Sequence, residues 1–184
     1  MRVIGGSSRG RRLAAPVADA VRPPSDRVRE SIFNILGSMV DLHDMKVVDL
    51  FSGTGALGIE ALSRGAGSVT FVERDPDAAK SIKANLTSTG LDGPGAFVVR
   101  RDVLDYLRAL PRAEATFDLV LCDPPYSFGL WDELIELLPG RLCVLESGSD
   151  LIVPDRWLVL RSRRYGSTLV TVVRASEDSQ GDVR

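Results

Sequence analysis

Asp49-Leu50-Phe51-Ser52-Gly53-Thr54-Gly55-Ala56-Leu57-Gly58 joins the apolar run Lys46–Leu50 to the apolar segment Ala56–Ser63. Gly53, Gly55 and Gly58 form the pattern G-x-G-x-x-G between a strand and a helix, the turn of a Rossmann-like β–α unit. The same alternation continues on both sides. Downstream, Ser68–Val72 reads as a strand, and Asp75 caps a helix that starts with Pro76 and runs to about Ser88. Ala96–Arg100 is a strand and Val103–Leu110 a short helix; Phe117–Cys122 is almost wholly apolar, as a strand buried on both faces must be. Trp131–Leu138 reads as a helix, Leu142–Glu146 as a strand, and Trp157–Arg161 with Ser167–Arg174 as a hairpin. Upstream, Val28, Ile32, Ile35, Leu36 and Met39 follow helical spacing over residues 26–38, behind Pro23-Pro24 and a capping Ser25. Arg2–Ile4 and Arg11–Ala14 read as a small N-terminal β-hairpin. Strand–helix alternation predicts an α/β fold, a parallel sheet with helices on both faces.

At 184 residues the chain has the length of one domain and needs no disulfide or metal to hold a core. No apolar run reaches the ~18–20 residues of a membrane span, and no apolar signal-peptide core follows Met1. No membrane role and a cytoplasmic location are expected. Cys122, Cys143 and His43 are too few for a disulfide framework or a conventional zinc site, and no metal is expected. The net charge of −2 is unevenly spread. Residues 1–30 carry seven basic and three acidic side chains, whereas residues 31–155 carry ten and nineteen. Residues 156–174 carry five basic side chains and no acidic one. Basic ends on an acidic body suit a polyanionic partner, although solvated surface arginines give the same pattern.

Glu73 ends the second strand, 24 residues beyond Asp49, where a carboxylate accepts from a ribose diol. An adenosine-type cofactor fits. Asp49, at the carboxyl end of the first strand, would repel a pyrophosphate, whereas S-adenosylmethionine has no phosphate and carries an ammonium and a sulfonium. S-adenosylmethionine is therefore the expected cofactor, with Asp49, Phe51, Ser52, Gly53, Gly55 and Glu73 around it. A nicotinamide dinucleotide and a purely structural turn are the alternatives. A P-loop is excluded, since no Lys-Ser/Thr pair follows the glycines. Asp102 and the Val103 N–H follow the third strand and can read an adenine edge; the other reading is that Asp102 caps the next helix.

Asp123-Pro124-Pro125-Tyr126 ends the strand Phe117–Cys122. Two prolines remove two N–H donors and leave an acceptor-rich corner, the Asp123 carboxylate and the Pro124 carbonyl. Such a corner suits the exocyclic amine of a nucleobase, whose lone pair is delocalised into the ring. Acceptors aimed at the nitrogen favour its nucleophilic form and stabilise the positive charge that develops on methylation. Tyr126 offers a face for stacking. The plain alternative is a proline-rich turn. Cys122 precedes the corner, as a nucleophile would, but lies within the strand and reads as core; Cys143 and His43 carry no function either.

The two motifs together resemble the amino-directed class I S-adenosylmethionine-dependent methyltransferases. Met1-Arg2-Val3-Ile4-Gly5-Gly6, Arg9-Gly10-Arg11 and Arg22-Pro23-Pro24-Ser25-Asp26-Arg27-Val28-Arg29-Glu30-Ser31-Ile32-Phe33 are similar to the RsmD family. That family methylates N2 of one guanine in bacterial 16S ribosomal RNA. The resemblance spans roughly residues 1–174 and departs at Pro24-Ser25, where the family commonly has two threonines. It implies a seven-stranded, mostly parallel Rossmann-like sheet whose last strand is inserted antiparallel. It also implies a basic N-terminal extension over residues 1–24 and a methyltransferase domain over 25–174; the tail over 175–184, which the resemblance leaves out, is polar and expected to be disordered. Catalysis would fall to Asp123, Pro124 and Tyr126, and RNA backbone contacts to Arg9, Arg11, Arg12, Arg27 and Arg29. The partner would be 16S rRNA in the small subunit or a late assembly intermediate, and the protein a monomer. An adenine-N6 methyltransferase on DNA or RNA has the same corner. A non-catalytic RNA-binding assembly factor is the alternative outside enzymes.

Overall fold

The computed structural model describes residues 1–14, 26–111 and 117–176. The expected cap at Ser25, the departure at Pro24 and nearly all of the tail lie outside the described residues. In chain order the elements are α1 (Asp26–Gly37), β1 (Lys46–Leu50), α2 (Ala56–Ser63), β2 (Ser68–Glu73), α3 (Pro76–Thr89), β3 (Ala96–Arg100) and α4 (Val103–Arg108). They continue as β4 (Phe117–Cys122), α5 (Trp131–Leu137), β5 (Gly140–Ser147), β6 (Trp157–Tyr165) and β7 (Thr168–Ala175).

The strands form one seven-stranded sheet in the order β3-β2-β1-β4-β5-β7-β6. β1 to β5 pair in parallel, and β7 enters antiparallel between β5 and β6. The strand order reverses between β1 and β4, the position at which such sheets open a ligand crevice at their carboxyl edge. Alternation along the strands sends Val47, Phe71, Leu121 and Val144 to a core under α1, α2 and α3. Val48, Val72, Cys122 and Leu145 point the other way, to a core under α4 and α5. Strands covered on both faces are apolar throughout, which is why β4 was readable from composition alone.

Local signals place the helix ends. Asp75 accepts from the Asp77 and Ala78 N–H groups at 3.0 and 2.8 Å, Pro76 fills the first turn, and Gly90 closes α3 at a φ of 71°. In α1, Val28, Ile32, Ile35 and Leu36 are buried as their spacing predicts, whereas Met39 lies past the helix and is exposed. β6 runs four residues beyond its expected end at Arg161, because Arg163 and Arg164 sit on an edge strand where charge is tolerated. In place of two regular hairpin strands, the N-terminal segment forms a single antiparallel bridge, Arg2 to Arg12. Among the described residues, no helix is long and apolar enough to cross a membrane.

Candidate active site

The carboxyl ends of β1, β2, β4 and β5 each carry an acid: Asp49, Glu73, Asp123 and Glu146. Glu73 organises the glycine loop. Its Oε2 accepts from the Gly53 N–H and its Oε1 from the Asp75 N–H, both at 2.8 Å. Asp49 is buried; its Oδ2 accepts from the Gly58 N–H at 2.9 Å, and its Oδ1 has no partner. Burial raises the Asp49 pKa well above the usual carboxylate value, the Gly58 hydrogen bond opposes this, and the charges of Asp123 and Glu73 add to it. A cation in the crevice would reverse that cost.

The glycines have separate roles. Gly55 opens α2 at a φ of 78°, a backbone state that disfavours side chains. Gly58 lies where an added Cβ would come within 2.4 Å of the Phe71 ring, so α2 packs against β2 closely enough to reach Asp49. Ser52 donates its hydroxyl to the Asp49 carbonyl at 2.6 Å and acts as a tie inside the loop. Phe51 packs edge-on against Phe128, with centroids 5.1 Å apart. Asp102 caps α4, its Oδ1 accepting from the Leu104 N–H at 2.9 Å, while its Oδ2 stays 3.9 Å from Arg74 on an open side. Val103 is buried in the first turn of α4, where helix N–H groups lack intrahelical partners. The orphaned Asp49 oxygen and the Glu73-braced loop, with no cationic phosphate cradle among the described residues, fit S-adenosylmethionine.

Asp123 stands beside the glycine loop, with its N–H directed at the Leu50 carbonyl at 3.5 Å. It is half-buried, and loss of hydration pushes its carboxyl up to about 7. Pro124 is buried and Tyr126 is 68% exposed. The Tyr126 hydroxyl meets Thr168 Oγ1 at 3.1 Å, so the β6–β7 turn braces the ring. Asp123, Pro125, Tyr126, Trp131, Glu146 and Thr168 line one small cleft. Cys122 and Cys143 are buried on the opposite side of the sheet, their thiols driven up in pKa by burial, and His43 is exposed beside Asp44.

The arginines divide. Arg9, Arg11, Arg12 and Arg27 are exposed. Arg29 is fully buried: it pairs with Asp26 at 3.0 Å, lies 3.9 Å from Glu60, and donates to the Arg2 carbonyl. Its expected RNA contact is corrected to an internal brace, because the helical stripe that carries Val28 and Ile32 also carries its stem inward. Glu60, also fully buried, accepts from the Ile4 and Gly5 N–H groups at 2.7 and 2.8 Å and from Arg64 at 2.8 Å. Asn85 accepts from the Ala14 N–H at 2.8 Å and donates to the Thr54 carbonyl at 3.0 Å, tying the N-terminal segment to the glycine loop.

Sequence reading missed Glu146, Glu60 and Asn85. Glu146 carried a usable signal, an acid closing the apolar run Leu142–Leu145 as Asp49 closes β1. Glu60 and Asn85 carried none, since the N-terminal backbone groups they hold lie 55 to 71 residues away. A second feature emerges between α1 and β6: Ser31, Asn34, Ile35, Ser38, Arg161, Arg163 and Tyr165 border an open groove.

The family described as Conserved hypothetical protein 95 matches residues 1–174. Ribosomal RNA small subunit methyltransferase D of Haemophilus influenzae is 38% identical, covering 90% of this chain and 89% of its own length. Its counterpart from Escherichia coli K12 is also 38% identical, over 99% of this chain and 93% of the relative. A solved Escherichia coli structure, 34% identical, covers 96% of this chain and 98% of its own, with a TM-score of 0.81. The sheet order, the crevice at its carboxyl edge and these full-length likenesses make the chain a member of the ribosomal RNA small subunit methyltransferase D family.

Proposed function

We propose that this protein transfers a methyl group from S-adenosylmethionine to the exocyclic N2 amine of a guanine in 16S rRNA. The substrate is the small subunit or a late assembly intermediate, the enzyme is a monomer, and the reaction takes place in the cytoplasm. The observation that carries this reading is the juxtaposition of Asp123-Pro124-Pro125-Tyr126 with the Asp49–Glu73 loop across the β1/β4 switch point. Full-length relatives named for methylation of small-subunit ribosomal RNA support it.

When bound, the cofactor supplies an electrophilic methyl on a sulfonium. Asp49 and Glu73 would hold its cationic and ribose portions, and Asp102 and Val103 would bound the adenine. Tyr126 stacks on the flipped base. The Asp123 carboxylate and the Pro124 carbonyl accept the two N–H bonds of the amine, direct its lone pair at the methyl, and offset the charge that appears on nitrogen. The methylated amine then loses one proton, which the Asp123 carboxylate can take and pass to water. Arg9, Arg11, Arg12 and Arg27 contact phosphates, which positions RNA without reading sequence.

Mass spectrometry of ribosomal RNA nucleosides from cells lacking the protein tests the reading. Loss of one N2-methylguanine from 16S RNA is expected, and restoration by the wild-type chain but not by Asp123→Ala. Loss of an N6-methyladenine instead would replace guanine by adenine, and an unchanged nucleoside profile would remove the enzymatic reading.

A further inference from the structure

Glu146 is the acid that the mechanism above leaves unused. It sits near the end of β5, one register step beyond the Cys122–Leu145 pair and therefore opposite Asp123 on the adjacent strand. Strand alternation places it on the α1 side of the sheet with Asp49. Its side chain is 97% buried, its Oε1 has no hydrogen-bond partner, and it lines the same cleft as Asp123 and Tyr126. Arg29, the nearby buried cation, gives its ion pairs to Asp26 and Glu60. Among the described residues the acids are not arranged to hold a metal. A buried acid without a partner costs stability, and an apolar residue of similar volume would pack there at less cost. The residue lines the cleft where a base is to be held, with its unpartnered Oε1 sealed from solvent in the free protein.

Adjacent acceptors on β4 and β5 ask for adjacent donors on the ligand. Guanine presents its N2 amine beside a protonated ring nitrogen, N1–H. Adenine and cytosine present their amine beside an unprotonated ring nitrogen, which is itself an acceptor. A carboxylate is acceptor-only, so it matches the first edge and repels the second. Resting on the guanine reading above, we propose that Glu146 is a specificity-determining residue, accepting the N1–H of the target guanine while Asp123 and Pro124 hold its N2 amine.

Burial and the charges of Asp123 and Asp49 raise the Glu146 pKa well above the usual carboxylate value, against the pull of Arg29. A sulfonium in the crevice shifts the balance back toward the ionised, acceptor-only form.

The test uses 2-aminopurine, which keeps the 2-amine but has no proton on N1. The target guanine is first mapped, and small subunits are rebuilt from ligated 16S RNA carrying guanine or 2-aminopurine there. Single-turnover methyl transfer is measured for wild type, Glu146→Gln and Glu146→Leu, with S-adenosylhomocysteine binding and thermal melting as folding controls. The wild-type enzyme should strongly prefer guanine. Glu146→Gln, whose amide both accepts and donates, should narrow the guanine-to-2-aminopurine rate ratio by about tenfold or more. Glu146→Leu should narrow it as well and should melt higher than wild type. Because 2-aminopurine also lacks the 6-oxo group, the change in ratio between enzymes is the quantity that counts. An unchanged ratio in both folded variants overturns the role of Glu146 while leaving the guanine reading intact. A wild-type enzyme that methylates no guanine overturns the reading itself, and the proposal with it.

Discussion

Asp49, Asp123 and Glu146 share one face of three adjacent strands, and burial raises the pKa of each. The sign of the linkage follows. A carboxyl raised from about 4 to about 7, as Asp123 is, binds its proton more tightly folded than unfolded. The stability of the free protein should therefore fall as pH rises from about 4 to about 7, and denaturant titrations across that range measure it. Binding the cationic cofactor favours the ionised acids and should release protons near neutral pH. Calorimetry in buffers of different ionisation enthalpy should show it, and Asp49→Ala should weaken binding and reduce the release. Unchanged cofactor affinity in folded Asp49→Ala would remove Asp49 from the cofactor site. Asp123→Ala should instead keep much of the affinity and lower methyl transfer by about 10²–10³-fold, the typical worth of one transition-state hydrogen-bonding group. A wild-type rate would overturn the mechanism. Asp49, Glu73 and Asp123 were legible in sequence because each stands at a motif boundary. The proton economy that Asp49, Asp123 and Glu146 share was not, since it depends on strand order, which puts β4 between β1 and β5.

At the scale of elements, the N-terminal segment is held by helix side chains. The Ile4 and Gly5 N–H groups end on Glu60 of α2, the Ser8 N–H on Ser63 Oγ, and the Ala14 N–H on Asn85 of α3. Glu60 also faces the buried Arg29 at 3.9 Å and bonds Arg64 at 2.8 Å. Its removal takes one of two carboxylates from the buried Arg29 guanidinium, which keeps Asp26, and leaves two backbone donors without their acceptor. Glu60→Ala should destabilise the fold by about 3–5 kcal/mol, read from denaturant midpoints, and should expose the first 14 residues to protease before the sheet unfolds. A variant as stable as wild type, with the segment still protected, would show that the segment is held by other contacts. The sheet elements were nearly all readable from apolar runs and capping residues. The docking was not, because a charged residue in an amphipathic stripe reads as surface. Arg29 and Glu60 are inside only because each finds partners on other elements.

The whole molecule places its positive charge in two regions relative to the cleft. α2 begins at the glycine loop and runs back along the sheet, and the loop at residues 6–10 docks on Ser63 and Thr89, at the far ends of α2 and α3. Arg9 and Arg11 therefore stand away from Asp123. The other region adjoins the cleft. Tyr126 touches Thr168 at the β6–β7 turn, Arg164 reaches the Gly148 carbonyl at 3.3 Å, and Tyr165, Arg163 and Arg161 continue along β6 into the groove against α1. Arg27 lies on the same helical stripe as Ser31, Asn34 and Ser38, one turn before the residues that line the groove, whose own arginines, Arg161 and Arg163, are on β6. A strand whose base entered the cleft would meet this hairpin on leaving it. The acidic body repels phosphate elsewhere, so the arginines of both regions should contribute, and the groove more than the distant loop. Losing two single-strand phosphate contacts should flatten the slope of log affinity against log salt by about 1.4. Arg161→Ala/Arg163→Ala should show that change in small-subunit binding, with S-adenosylmethionine affinity unaltered. Arg11→Ala/Arg12→Ala should weaken binding less. A wild-type slope for the groove pair, beside a flattened one for the loop pair, would put the RNA path along the N-terminal segment instead.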